Sequence, residues 1–389
     1  MTLFTNAILI LEDRLQPGTL AVKAGTIAAI IPHGQPLPEA EIVDVGGRYI
    51  SPGFVDIHVH GGAGHDFMDG DEAGFIAIRK AHARHGTTTL SPTTTVARHD
   101  QHLAFLRICR KLQGRDIAGA RILGSHFYGP YFAMEARGCH PASSVRPPLP
   151  EEYREYLEFA DCIGRATIAP ELPGAEEFAK ACQSLGIGVN IGHSHATFAQ
   201  VEAARSWGAS HVDHLFCAMS DRAKLRQSQT YPMRGGVMEA TLFFDDLTTE
   251  IIADGKHLDP ALMRLAYKIK GPDRLALVTD CSRALDMPDG PYLFGPRDGG
   301  EPFEKCDGVG LMPDGKSLAS SVVGMDHCVR VMHQSVGVPL VEAVRMASLT
   351  PARILGAADS LGSLAAGKHA DFVILDEDLR VVSTQCAHD

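Results

Sequence analysis

The chain has 389 residues, of which 45% are hydrophobic and 21% charged, and its formal net charge is -11. This composition is ordinary for a folded globular protein, and the acidic balance argues against a nucleic-acid or anionic-membrane partner. Its apolar runs are shorter than the roughly 20 residues that cross a bilayer. Nine scattered cysteines without a C-x-x-C pair, and a start that lacks a basic segment, favour a cytoplasmic protein with reduced thiols.

The first fifty residues differ from those that follow them. Short apolar runs broken by Pro-Gly and Ala-Gly predict strands and hairpins in NAILILEDRLQPGTLAVKAGTIAAIIP. A similar alternation returns near the end of the chain, in LGSLAAGKHADFVILDEDLRVVS. We therefore predict a small β-sandwich domain formed by both chain termini, from residues 1–53 and 360–389.

Between these segments, helical patterns alternate with short apolar runs. DEAGFIAIRKAHARHG has helical periodicity, acidic residues at its start and a glycine at its end, and the β-branched run TTTLSPTTT follows as a strand. About eight such units over residues 54–359 predict an α/β fold, a parallel (β/α)8 barrel of the TIM type. A doubly wound open sheet is the alternative, but no G-x-G-x-x-G or P-loop motif supports it.

Polar residues that can bind a metal follow several of the predicted barrel strands. In such a barrel, chemistry takes place at the C-terminal ends of the strands. His58 and His60 are two residues apart, so on a strand they point to the same face. Later strands end in GHSH, DHLF and LVTD, which offer His193, His214 and Asp280. Each residue alone is more simply a buried polar group, but together they predict a Zn²⁺ or Fe²⁺ site.

This order of histidines and aspartate resembles that of the amidohydrolase superfamily, and more closely that of the N-acetylglucosamine-6-phosphate deacetylases. The motifs SPGFVDIHVHG, TIAPE, GHSHAT, DHLFCAM, IADGKH and LVTD match family segments in order, over nearly the whole chain. The resemblance implies a homodimer, metal ligands at His193 and His214, and Asp280 as a general base that becomes the acid. A carboxylate beside a metal-activated water suits that task, because it can take a proton and later deliver it to the departing amine.

One position departs from that family. In the segment SHFYGPYF, Tyr128 stands where the family usually carries a glutamate that binds metal. A neutral phenol is a weak ligand and cannot bridge two cations as a carboxylate does. We therefore expect one divalent ion per chain, zinc before iron, manganese or cobalt, held by His58, His60, His193 and Asp280 with His214 beside them.

Tyr128 is then expected to donate a hydrogen bond to the oxyanion of the tetrahedral intermediate, with His126 orienting it. Two alternatives stay open at this position. Tyr128 fills space in a protein that has lost the family's activity, or another residue bridges a second ion.

Further departures concern the substrate. The family's LFNAM is LFCAM here, so Cys217 replaces an asparagine beside Ala218, while His140 and His257 match histidines of the family's active site. The loop SDRAKLRQSQTYPMRGG is longer than its counterpart, and an arginine in it suits phosphate or carboxylate. The predicted substrate-binding residues are His126, His140, Cys217, Ala218, Arg234 and His257.

These observations favour an enzyme that removes the N-acetyl group from N-acetylglucosamine-6-phosphate or a related N-acyl amino sugar. The first alternative is a mononuclear amidohydrolase acting on another small polar substrate, as a deaminase, cyclic amidase or lactonase. The second is a non-catalytic sugar-binding homologue, although a base beside a metal has no obvious use in a binding protein.

Overall fold

A computed structural model describes residues 1–115, 117–228 and 231–387 of the chain. The N-terminal segment is all β, as its hairpin pattern predicts. Ala24 and Gly25 join two of its strands with φ angles of 48° and 71°, the sign pattern of a type I′ turn. The strands are β1 (Thr2–Ile10), β2 (Leu15–Lys23), β3 (Thr26–Pro32), β4 (Glu41–Asp44) and β5 (Tyr49–Pro52).

The central segment alternates strands and helices. Its elements are β6 (Phe54–Val59), β7 (Gly61–Gly62), β8 (His65–Asp66), α1 (Glu72–Arg84), β9 (Thr87–Pro92), α2 (His99–Leu112), β10 (Arg121–Ile122), β11 (Ser125–Phe127), α3 (Pro150–Leu157), β12 (Ile163–Ile168), α4 (Ala175–Ser184), β13 (Gly188–Ile191), α5 (Phe198–Ser206), β14 (Ala209–Val212), α6 (Arg222–Leu225), α7 (Val237–Phe243), β15 (Thr248–Ile252), α8 (Pro260–Lys270) and β16 (Leu275–Val278).

The last segment adds a three-stranded antiparallel sheet, further helices and a final hairpin. These elements are β17 (Gly290–Phe294), β18 (Glu301–Cys306), β19 (Val309–Leu311), α9 (Met325–Arg330), a π-helical turn (Val331–Ser335), α10 (Leu340–Ala347), α11 (Leu349–Ile354), β20 (Phe372–Leu375) and β21 (Val381–Gln385). In the described part of the chain, no helix is long and apolar enough to cross a membrane.

The barrel strands are parallel and follow one another around the wall. Strands β10, β9 and β6 form one run, and β11 to β16 form the other in sequence order. A parallel bridge between Thr93 and His126 links the two runs on one side. On the other side, the Asp280 N–H donates to His58 O over 2.9 Å. The predicted (β/α)8 barrel is therefore confirmed, with β6 and β16 as neighbours.

The small β domain combines both ends of the chain. Its seven strands run in the order β21, β20, β5, β1, β2, β3, with β4 also paired to β1. Strand β20 lies antiparallel to β5, with Ile374 opposite Ile50. The strands bury their own apolar cluster, which includes Leu9, Leu20 and Phe372. Both termini therefore contribute to one hydrophobic core beside the barrel.

Candidate active site

The ends of the first and last barrel strands bring three potential metal ligands together. His58 and His60 lie at the end of β6, and Asp280 follows β16. His60 Nε2 is 3.1 Å and His58 Nε2 is 3.6 Å from Asp280 Oδ1. One ligand atom of each residue lies within 4.8 Å of the other two. All three side chains are at least nine-tenths buried, so this group can hold a small cation away from bulk water.

A buried carboxylate orients His58. Its Nδ1 lies 2.5 Å from Glu250 Oε1, and the other oxygen of Glu250 lies 3.1 Å from His211 Nε2. Because Nδ1–H donates to Glu250, the lone pair of His58 is on Nε2, which is buried and has no hydrogen-bond partner. A carboxylate that fixes the tautomer in this way is typical of metal-binding histidines. The donor set of two imidazoles and one carboxylate therefore fits a zinc-type ion.

The same contacts set the charges of these groups. Burial disfavours the charged form of His58, but the carboxylate of Glu250 outweighs it and raises the pKa of His58 to about 9. A cation that binds Nε2 of His58 therefore takes the place of a proton there. Burial would raise the pKa of Asp280, but the hydrogen bond from His60 and the charge of His58 hold it below the usual range. Asp280 is therefore an ionised carboxylate at neutral pH and can accept a proton.

Tyr128 lies among the histidines of the site. Its ring centroid is 4.4 Å from that of His58 and 5.2 Å from that of His193. The hydroxyl group lies 2.6 Å from His214 Nε2. Burial raises the pKa of Tyr128 well above its usual value, with a further contribution from the charge of Asp280. The side chain is thus a neutral phenol that retains its proton.

Three residues at strand ends adopt left-handed backbone conformations. The φ angles are 45° at His193, 21° at His214 and 46° at Asp280. Such angles are uncommon outside glycine and tend to occur at functional sites. His193 is held further by its Nδ1, 2.7 Å from Ala136 O, and by stacking on Phe132 at a centroid distance of 4.2 Å. Donation from Nδ1 leaves the Nε2 lone pair of His193 free for a ligand.

A cavity of about 310 Å³ opens onto these residues. Four of the predicted substrate-binding residues line it, as do most of the predicted metal and catalytic residues. His140 Nδ1 accepts the Val96 N–H, so its Nε2 carries the proton. The lining consists of His60, Tyr128, Gly138, Cys139, His140, His193, His214, Cys217, Ala218, Ile252, His257, Asp280, Phe294, Ser317, Leu318 and Ser320.

His257 lies at the wall of the cavity against a carboxylate. Its Nδ1 is 2.7 Å from Asp254 Oδ2. Burial lowers the pKa of His257, but the hydrogen bond and the charge of Asp254 outweigh burial and raise it above the usual value. The raised pKa favours the form in which both ring nitrogens of His257 carry a proton, and in that form Nε2 can donate to a polar group of the substrate.

Two predicted substrate-binding residues do not line the cavity. His126 is buried, but its Nε2 lies 2.7 Å from Thr167 Oγ1, which in turn donates to Asp213. His126 thus has its polar partner inside the barrel. The hydroxyl group of Tyr128 contacts His214 and not His126. Arg234 is exposed on the loop after β14 and is not among the residues that line the cavity.

Several residues of the site were not predicted from sequence. Glu250 is a charged residue in the middle of an apolar strand, TTEII, and that pattern is a usable signal for a buried functional carboxylate. Phe294, Ser317, Leu318 and Ser320 come from the segment around β17 to β19, which lies outside the regular strand–helix alternation. No strand-end pattern marks them.

Comparison with known proteins places the chain in a family. Residues 49–387 match the amidohydrolase family. The chain is 36% identical over 383 residues to N-acetylgalactosamine-6-phosphate deacetylase of Escherichia coli O157:H7, covering 95% of this chain and 93% of the relative. It is 33% identical over 362 residues to N-acetylglucosamine-6-phosphate deacetylase of Vibrio furnissii, covering 92% of this chain and 87% of the relative.

A solved structure agrees with this assignment. The crystal structure of N-acetylglucosamine-6-phosphate deacetylase from Pasteurella multocida has a TM-score of 0.90 to this chain at 29% identity, covering 99% of this chain and 98% of the other. The similarity therefore includes both the barrel and the small β domain. This chain belongs to the amidohydrolase family, as a metal-dependent hydrolase similar to the N-acetylglucosamine-6-phosphate deacetylases.

Proposed function

We propose that this enzyme hydrolyses the amide bond of an N-acyl amino sugar and releases a carboxylic acid, acetate for an N-acetyl substrate, and the free amine. The observation that carries the proposal is the group of His58, His60 and Asp280, of which His60 and Asp280 line a cavity of about 310 Å³. A cavity of that size suits a small ligand. The names of the full-length relatives support an N-acetylated sugar as the substrate.

We further propose a single zinc ion per chain, bound by His58, His60 and Asp280, with His193 as a fourth ligand. The free Nε2 lone pairs of His58 and His193 support this set. Zinc at such a site polarises a carbonyl group and lowers the pKa of bound water. His214 lies beside this set, and its Nε2 is 2.6 Å from the hydroxyl oxygen of Tyr128.

Asp280 is proposed as both base and acid. Its ionised carboxylate takes a proton from the attacking water as the C–O bond forms at the amide carbon. The same proton is then delivered to the amide nitrogen, so that the C–N bond breaks with a neutral amine as leaving group. The low pKa of Asp280 supports its initial state, because the group is unprotonated at neutral pH.

The phosphate group of the substrate requires a direct test. Among the described residues, the lining of the cavity includes histidines but no arginine or lysine, and Arg234 is exposed outside it. His257 is the lining residue best placed to contact an anion, since Asp254 favours its protonated form. We therefore propose the N-acyl amino sugar as substrate class and include free and 6-phosphorylated sugars in the screen.

A second candidate function follows from Tyr128. A single-metal centre without the usual glutamate also suits the hydrolysis of other small polar substrates, as catalysed by deaminases, cyclic amidases and lactonases. The neutral phenol of Tyr128 supports this candidate, because it stands where the family usually carries a carboxylate that can bridge two ions.

We also propose that the protein is a cytoplasmic homodimer. The nine free cysteines agree with a reducing compartment.

The test combines metal content with a substrate screen. Protein purified without a His tag or chelator is analysed for metal and assayed with N-acyl amino sugars, with and without phosphate, and with deaminase and lactonase substrates. One zinc per chain with release of acetate supports the proposal. Two ions per chain contradict the single-metal site, and turnover only of a non-sugar substrate favours the second candidate. Sugar binding without metal or turnover contradicts both.

A further inference from the structure

Phe294 forms an apolar part of the cavity wall beside the proposed metal ligands. It ends β17 and is only 1% exposed, yet it lines the cavity. Its ring stands edge-on to the rings of His60 and His140, with a centroid distance of 5.1 Å to each. Such distances are typical of packed aromatic pairs. Phe294 therefore occupies the space next to one of the proposed metal ligands.

Cys139 adds a second apolar side chain to the same part of the cavity. It lines the cavity and packs against a buried cluster that includes Phe294 and Phe303. Burial raises the pKa of its thiol above the usual value, so the side chain is uncharged. A neutral buried thiol behaves as a small apolar group. Phe294 and Cys139 together form the Phe–Cys wall of the cavity.

Hydrogen bonds on both sides of Phe294 hold it in place. The guanidinium group of Arg283 donates to the backbone carbonyl oxygens of both chain neighbours of Phe294, over 2.6 and 2.5 Å. The same group pairs with Asp69 over 2.9 Å. The Gly295 N–H donates to Asp66 Oδ2 over 3.1 Å. Because hydrogen bonds to buried charged groups are strong, the ring cannot easily move away from a larger substrate.

The chemistry of an N-acyl amino sugar decides which of its parts lies on this wall. Hydrolysis requires the amide carbon beside Asp280 and the proposed metal ligands, so the acyl group begins next to His60. An acyl chain is apolar, whereas the sugar carries hydroxyl groups that would lose hydrogen bonds against an apolar wall. His257 and Ser317, which also line the cavity, offer polar contacts to the sugar.

We propose that Phe294 and Cys139 form an acyl subsite that accepts the methyl group of an N-acetyl substrate and excludes longer acyl chains. This inference rests on the proposed function and adds to it the identity of the acyl group. The fixed ring of Phe294 limits the length of the chain, since it is packed against His60 and His140. One methylene group more or less in an apolar pocket changes kcat/KM by about 10–200-fold.

Kinetics test the subsite with the N-acetyl, N-propionyl and N-butyryl derivatives of one amino sugar. The wild type should prefer the acetyl to the propionyl substrate by about 10-fold or more in kcat/KM. Phe294→Ala should remove this preference, because the missing ring leaves room for a longer chain. Cys139→Ala should weaken it less, since a smaller group is lost. Phe294→Leu removes less packing and should weaken the preference even where the alanine variant does not fold.

Phe303→Leu is the matched control for Phe294→Leu. Phe303 belongs to the same buried cluster and is 3% exposed, but it does not line the cavity. Its substitution removes similar packing and should leave the preference for acetyl unchanged. Equal rates with all three substrates in the wild type overturn the subsite, as does an unchanged preference in Phe294→Ala or Cys139→Ala. Equal weakening in Phe303→Leu assigns the effect to the cluster and also overturns it.

A binding measurement does not depend on turnover. Calorimetry of the zinc-loaded protein with acetate, propionate and butyrate should give wild-type affinities that do not rise with chain length. In Phe294→Ala, butyrate should bind more tightly than acetate. No binding of any of the three, or the same order of affinities in wild type and variant, overturns the subsite. If no N-acyl amino sugar is hydrolysed, the proposed function fails, while the carboxylate series still decides whether Phe294 limits an acyl subsite.

Discussion

Asp280 combines two properties that a base in this reaction needs. It is one of three residues that converge as potential metal ligands, and its pKa is held below the usual range, so it accepts a proton at neutral pH. Asp280→Asn preserves the shape of the side chain but removes the negative charge. We expect kcat to fall by at least about 10²–10⁴-fold, with part of the metal retained.

The check is kcat and zinc content measured on the same preparation. Asp289→Asn is the matched control, because Asp289 is exposed and does not line the cavity. Substantial activity in Asp280→Asn with full zinc content would exclude Asp280 as the base.

Ser320 shows how backbone strain can be retained at a site. It has a φ angle of 62°, is 5% exposed, and its hydroxyl group lies 3.4 Å from Asp280 Oδ1. A left-handed conformation costs a non-glycine residue about 1–2 kcal/mol, of which glycine recovers part. Ser320→Gly should therefore raise the free energy of unfolding by about 0.5–1 kcal/mol while lowering kcat.

Urea unfolding and kcat are measured together for this position. Ser320→Ala is the matched variant, because alanine keeps the strain but lacks the hydroxyl group. It should lose activity without gaining stability. A glycine variant less stable than the alanine variant would show that strain at Ser320 is negligible.

The candidate site could be predicted from sequence only where a local pattern marked it. His58 and His60 share a face because side chains alternate along a strand, and this holds in any barrel. The partner of Tyr128 could not be predicted, because His214 is 86 residues away and lies at the end of another strand. Glu250 likewise acts through a contact with His58 that only the closed barrel creates.

At the level of elements, His85 joins the end of α1 to two other segments. Its Nε2 lies 2.9 Å from Asp286 Oδ1, after β16, and its Nδ1 lies 3.0 Å from Asp326 Oδ1, in α9. Burial lowers the pKa of His85, but the hydrogen bonds and charges of the two carboxylates outweigh it, so the folded-state pKa is raised. Protonated His85 therefore stabilises the fold.

This contribution depends on pH in a defined direction. Because the folded-state pKa exceeds the unfolded value of about 6.5, the stabilisation is complete below that pH and is lost as pH rises through the folded-state pKa. His85→Gln should thus lower the free energy of unfolding more at pH 6 than at pH 9. Urea titrations at both pH values check this, with His33→Gln, an exposed turn residue, as control. An equal loss at both pH values contradicts the prediction.

The elements themselves were predictable where they repeat. Strand–helix alternation predicts the barrel, because each amphipathic unit must bury its apolar face in the same way. The antiparallel sheet of β17 to β19 interrupts that alternation, yet it positions Phe294 at the cavity. The loop that carries Arg234 has a basic composition, but composition does not determine which way a loop turns.

At the level of the whole molecule, the proposed metal site connects the first and last strands of the barrel. His58 belongs to β6, His60 directly follows it, and Asp280 follows β16, where the two ends of the barrel meet. An ion bound there stabilises the folded state by mass action, by about 2.7 kcal/mol at 100 times the Kd. Because those ligands come from strands far apart in the chain, the unfolded protein lacks the site.

Removal of the metal should therefore lower Tm by several degrees, and equimolar zinc should restore it. Thermal unfolding of dialysed protein, before and after zinc is added, measures this difference. His60→Ala serves as the matched variant, since it lacks one ligand and should show little or no zinc-dependent shift. A His60→Ala shift as large as that of the wild type would mean that zinc binds elsewhere. An unchanged wild-type Tm would mean that closure of the barrel between β6 and β16 does not depend on the ion.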